Sequence, residues 1–115
     1  MAKVEIVRSL LEEIKRRFKG ESSKVLDLLQ TLEDDPYKGK PVGQVGGISI
    51  KELKYKGFRF YFILEGNKLK VFSREELVNM LIRFVRMSGK KDQQKTIDEI
   101  KDLLRNFDEE SLGSV

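Results

Sequence analysis

The 115-residue sequence has no cysteine, no histidine and no tryptophan. Lacking cysteine, it can form no disulfide and offers no thiolate nucleophile. Lacking histidine, it has no imidazole base, and zinc sites built from either residue are excluded. Long apolar runs are missing too. No segment approaches the ~18 apolar residues of a membrane span, and the N-terminus lacks the core of a signal peptide. The expectation is a cytoplasmic protein with no membrane association, no metal site and no cofactor. Only two prolines occur. Both Pro36 and Pro41 fall in one stretch that also holds Gly43, Gly46 and Gly47, which marks an irregular loop of ~12 residues.

Charge is plentiful, at 37% of residues against 39% hydrophobic. The length suits one domain over 1–115 with a single core. The net charge of +4 is unevenly spread. Residues 1–35 carry 7 basic and 8 acidic side chains, residues 36–95 carry 14 and 5, and residues 96–115 carry 2 and 6. A central net of +9 between near-neutral and acidic flanks points to an anionic partner. Its alternative is a solvated face of lysine and arginine.

The central stretch Ile48–Phe72 reads as an antiparallel meander. Phe58, Phe60, Phe62 and Leu64 alternate with Arg59, Tyr61, Ile63 and Glu65, as in a strand with one face against a core. Lys56-Gly57 and Gly66-Asn67 supply the turns, the second as a two-residue hairpin loop. Ile48 and Ile50 are out of phase with Leu53 and Tyr55, which predicts a bulge near Lys51-Glu52.

Before the meander, Val4, Val7, Leu10, Leu11, Ile14 and Phe18 step by three and four, predicting a helix over 4–18. Lys15, Arg16, Arg17 and Lys19 complement its C-terminal dipole, and Gly20 is a plausible stop. Ser22 or Ser23 then caps a second helix with Val25, Leu28, Leu29 and Leu32 inward. Two such helices form a hairpin able to cover one side of the sheet. The glycines near Val45 lack the Gly-Lys-Ser/Thr ending of a phosphate loop and lead into a strand, so that motif is rejected.

After the meander, Ser73-Arg74-Glu75-Glu76 has the form of a capping box. The segment from Val78 to Met87 fits a helix through Leu77, Leu81 and Val85, or a strand through Met80, Ile82 and Phe84. Ser88 to Lys91 reads as a turn. A last helix is expected from about Asp92 to Asn106, followed by a frayed tail over 108–115. Taken together the expected fold is α+β: an N-terminal helical hairpin on a small antiparallel sheet of three to four strands, with a C-terminal helix.

This order, with its local motifs, resembles the RelE/ParE superfamily of bacterial and archaeal toxins, and within it the HigB-like branch. Leu32 to Tyr37 with Gly39 resembles the junction after that family's helical hairpin. Lys51-Glu52-Leu53-Lys54 and Gly57-Phe58-Arg59-Phe60-Tyr61 resemble its paired strands. Phe84 to Ser88, Lys90-Lys91, Gln94-Lys95-Thr96 and Glu99-Ile100 resemble its HigB-type ending. The resemblance spans about Val4 to Leu104. It implies that Met80–Met87 is a strand leading into a basic loop.

The family's ribonuclease members cleave mRNA on the ribosome without a metal, through attack of a ribose 2′-hydroxyl on the adjacent phosphate. That chemistry needs a proton acceptor, a donor to the leaving oxygen and cations at the phosphorane. Here the resemblance implies Arg59 and Lys54 at the phosphate, with Glu52 or Tyr61 handling protons. Lys51, Lys56, Arg83, Arg86, Lys90, Lys91 and Lys95 are the candidate RNA contacts. The implied partners are a cognate antitoxin protein, the ribosome and mRNA.

The chain departs from the family where two assisting lysines would stand, at Ile50 and Glu52, and Ile97 replaces a proline. Plain structural roles compete at each site residue: a salt bridge for Arg59, sheet packing for Tyr61, a surface pair for Glu52. A ParE-like toxin that binds a topoisomerase would need no such acid/base set, and neither would a non-catalytic RNA-binding protein.

Overall fold

The computed structural model describes the backbone of residues 3–113 and the side chains of residues 3–107. The fold is α+β, with a five-stranded sheet covered by helices on both faces. In chain order the elements are β1 (Lys3–Ile6), α1 (Arg8–Phe18), α2 (Ser22–Gln30), β2 (Lys40–Val45), β3 (Ile48–Tyr55), β4 (Phe58–Glu65), β5 (Lys68–Phe72), α3 (Arg74–Met87) and α4 (Lys90–Gly113). The strands lie in the order β1-β5-β4-β3-β2, with β1 parallel to β5 and the other neighbours antiparallel.

The meander follows from its turns. Lys56 and Gly57 both take positive φ, 46° and 83°, so Tyr55 pairs with Phe58 across a two-residue loop. Gly66, at φ 63°, turns β4 into β5 with Glu65 opposite Lys68. These are the mirror-image conformations that match strand twist. On the first face, Phe60, Phe62, Leu69 and Val71 form a core with Leu10 and Ile14 of α1 and Val25 and Leu29 of α2.

The opposite face is also buried. Tyr61, Ile63, Ile50 and Phe72 pack beneath Leu77 and Leu81 of α3 and Leu103 and Phe107 of α4. This corrects the expectation of a strand with only one face against a core. It also removes the predicted bulge. β3 runs unbroken, with Ile48 and Ile50 feeding one core while Leu53 and Tyr55 border the other. Two buried faces produce the phase change that one buried face would need a bulge to explain. The register shift occurs instead in β2, between Pro41 and Gly43.

The sheet is mixed and has five strands, against the three to four antiparallel strands expected. One added strand, β1, was hidden because Val4 and Val7 extend the helical spacing of α1. Val7 itself is extended, and the helix begins only at Arg8. The other, β2, lies inside the supposed loop, where an edge position tolerates its proline and glycine. Serine does not cap α2: Glu21 holds the cap position, with no side-chain bond.

The largest correction is Met80–Met87, expected as a strand. Ser73 and Glu76 form a full capping box, and the helix it starts continues for 14 residues. Leu77 and Leu81 turn inward while Ile82 is exposed, as a helical period requires. α4 then begins at Lys90 and its backbone remains helical to Gly113, through most of the expected tail. Ser114 and Val115 lie outside the described residues.

Candidate functional site

Partners across an antiparallel pair project to the same side. The register sets Glu52 opposite Tyr61 and Lys54 opposite Arg59. Glu52 and Lys54 are two residues apart on one strand, so all four expected catalytic residues share one sheet face. They sit at the β3–β4 hairpin end, on the side covered by α3 and α4. Extending the row, Lys40 lies opposite Glu52 and Phe72 opposite Tyr61.

The charges there are close but sheltered. Arg59 Nη1 lies 3.9 Å from Glu52 Oε2, and their side chains are 17% and 5% exposed. Tyr61 is wholly buried, its ring 4.7 Å from that of Phe107 in α4. Arg74, the first residue of α3, places its guanidinium 5.3 Å from the centre of the Phe107 ring on which it rests. Asn106 Nδ2 donates to the Val42 carbonyl at 3.0 Å, tying the same turn of α4 to β2.

Burial raises the Tyr61 phenol above its ordinary value, and the negative charge of Glu52 adds to the rise. A hydrogen bond and the positive charge of Arg59, with Arg74 beyond it, pull the other way without prevailing. Tyr61 therefore stays a neutral hydroxyl at physiological pH: a hydrogen-bond donor, not a base. Glu52 is the carboxylate beside it, opposite Tyr61 in the register and paired with Arg59. Arg59, and Lys54 exposed beside it, place positive charge at this corner. Lys40 and Arg74 complete this basic corner and were missed in the sequence. Lys40 stands in a stretch whose prolines and glycines signal loop, and Arg74 stands inside a capping box.

The other candidate contacts lie elsewhere. Lys51 projects from the first face, where its Nζ donates to the Tyr37 carbonyl at 2.9 Å and lies over the Tyr37 ring. Lys56, in the hairpin turn, donates to both carboxylate oxygens of Glu21 at 2.7 Å. That bond raises the Lys56 ammonium and lowers the Glu21 carboxyl from their ordinary values. Arg83 borders an apolar cleft under α3, and Arg86 an apolar hollow between α3 and α4. Lys95 stands with Asp92 and Glu99 beside the Gly46-Gly47 turn.

Lys90 and Lys91 lie far from Arg59. They open α4, whereas the end of α4 that reaches Tyr61 is Phe107. Lys91 and Phe107 stand sixteen positions apart along the helix, about 24 Å at ~1.5 Å per residue. With Met80–Met87 helical rather than extended, the chain turns at the far end of the sheet and the basic turn goes with it. Among the described residues, no cluster of acidic side chains stands ready to hold a metal ion, and no helix is long and apolar enough to cross a membrane.

No family model matches the chain, and no curated protein or solved structure matches it.

Proposed function

We propose that this chain is the toxin of a toxin–antitoxin pair, a metal-independent endoribonuclease directed at mRNA on the ribosome. One observation carries the reading: Glu52, Lys54, Arg59 and Tyr61 converge on one face at one end of the sheet. The order of helical hairpin, meander and C-terminal helices supports it. Glu52 takes the proton of a ribose 2′-hydroxyl as that oxygen attacks the adjacent phosphorus. The bond to the 5′-oxygen breaks and a proton passes to the leaving oxygen; the neutral Tyr61 hydroxyl gives it once the end of α4 that carries Phe107 has moved off the sheet. Arg59 and Lys54 hold the phosphoryl oxygens while charge builds on them.

The test expresses the protein without a partner and maps breaks in translated mRNA. Arg59→Lys keeps a counter-charge beside Glu52 but loses planar two-point phosphate binding. Cleavage should fall by roughly 10²–10³ while the fold persists. Wild-type protein that yields no breaks overturns the ribonuclease reading, and inhibited supercoiling in the same cells identifies a ParE-like toxin instead.

A second reading, a non-catalytic RNA-binding protein with the same fold, is favoured by one feature. Glu52 and Tyr61 lie buried under α4, whereas Lys40, Lys54 and Arg74 are exposed. That arrangement suits contacts to backbone phosphates. RNA retained without breaks distinguishes it.

A further inference from the structure

At the other end of the same sheet face, away from Arg59, α3 stands off the strands and leaves a cleft of about 570 Å³. Ligand sites commonly enclose roughly 300–1,000 Å³. Ile63 and Phe72 form its floor, and Met80 and Phe84 of α3 form one wall. Met87 at the mouth is 87% exposed. Apolar surface left open between packed elements is costly in water, and a ligand that covers it recovers that cost. Methionine side chains let such a wall adapt to its occupant.

Four charged residues border the cleft: Glu5, Glu65, Lys70 and Arg83. Lys70 Nζ lies 3.1 Å from Glu65, and Glu5 is 3.7 Å from Lys68. Both carboxylates are thereby matched by a lysine. Arg83 has no ion pair or hydrogen bond with another described residue, and it is exposed to solvent. One guanidinium thus remains over at the edge of an apolar cleft.

We propose that this cleft binds a small amphiphilic carboxylate, with its chain on Ile63, Met80 and Phe84 and its carboxylate on Arg83. The guanidinium suits that head group because it presents two parallel N–H donors. An amphiphilic cation of the same length would meet Arg83 with like charge. The proposal is independent of the ribonuclease reading, since the two sites occupy opposite ends of the sheet face.

The test titrates the whole protein with sodium decanoate below its micelle-forming concentration and follows the methyl resonances of Ile63, Met80 and Met87. Saturable shifts confined to these methyls are expected. Arg83→Ala should weaken binding about tenfold, the loss of one charge-assisted contact, and Met87→Glu at the mouth should weaken it as well. Both positions are exposed, and circular dichroism checks each fold. Decyltrimethylammonium should bind far more weakly than decanoate. Shifts that do not saturate, equal binding by Arg83→Ala, or equal affinity for the cationic amphiphile would each overturn the proposal.

Discussion

The Tyr61 phenol ionises late because folding removes its water and sets Glu52 beside it. A tyrosine free in water loses its proton near pH ~10. Above that pH the unfolded chain ionises at this residue while the folded chain retains its proton. Stability from Tyr61 is therefore complete below pH ~10 and declines as pH rises through the folded value. Subtracting the alkaline absorbance titration of Tyr61→Phe from that of wild type should isolate a midpoint above ~10. Denaturant midpoints should fall less steeply with alkaline pH in the variant. At Arg59 the pair with Glu52 sets the choice of substitution. Alanine leaves a buried carboxylate with less positive charge nearby and should destabilise by roughly 1–3 kcal/mol more than lysine does, a difference that urea titration measures. Phe60 is fully buried among α1, α2 and the sheet. Its truncation to alanine should cost about 3–5 kcal/mol, and a protein as stable as wild type would mean that this face is not core.

Elements with one strong local cause were legible in the sequence. β4 showed its alternation, and the two hairpins showed their turn residues. The capping box at Ser73 was visible as well, and the helix it starts shows why the family resemblance misled at Met80–Met87. A cap and a buried Leu77–Leu81 spacing act on this chain directly, whereas the resemblance carried a strand over from other chains. Ser73→Ala should lower stability by about 0.5–2 kcal/mol, the usual effect of losing a cap, with a matching drop in thermal midpoint. β1 and β2 were not legible because neither has a local cause strong enough. Four residues of β1 depend on a partner more than sixty residues away, Val4 lying opposite Leu69. β2 depends on β3 and on Leu103, whose Cδ1 would lie 2.7 Å from a Cβ at Gly43. Gly43→Ala should therefore force the buried Leu103 side chain to shift and lower stability, which unfolding in urea would report. The pairing of Glu52 with Tyr61 was likewise invisible until the hairpin register set them opposite one another.

For the whole molecule, two groups of basic residues lie at opposite ends of the sheet face. Lys40, Lys54 and Arg74 lie near the Tyr61 corner, and Arg86, Lys90 and Lys91 lie near the α3–α4 turn. RNA bound at the corner should lose affinity steeply with salt, and replacing the first three with alanine should flatten that slope by roughly one unit per lost phosphate contact. Replacing the second three should leave it nearly unchanged. Equal effects from both would mean that net charge, not place, governs binding. The parallel pairing of β1 with β5 has a consequence during synthesis. The first strand of the sheet to leave the ribosome is matched by the last, so it has no mate until Phe72 has emerged. Meanwhile the α1–α2 pair can form beside it, and the meander can close hairpin by hairpin. Val4 and Ile6 then join a sheet whose antiparallel part already exists. The strand that docks late is thus made before the four it will join, and any residues ahead of it would have to be carried through that wait without capturing it.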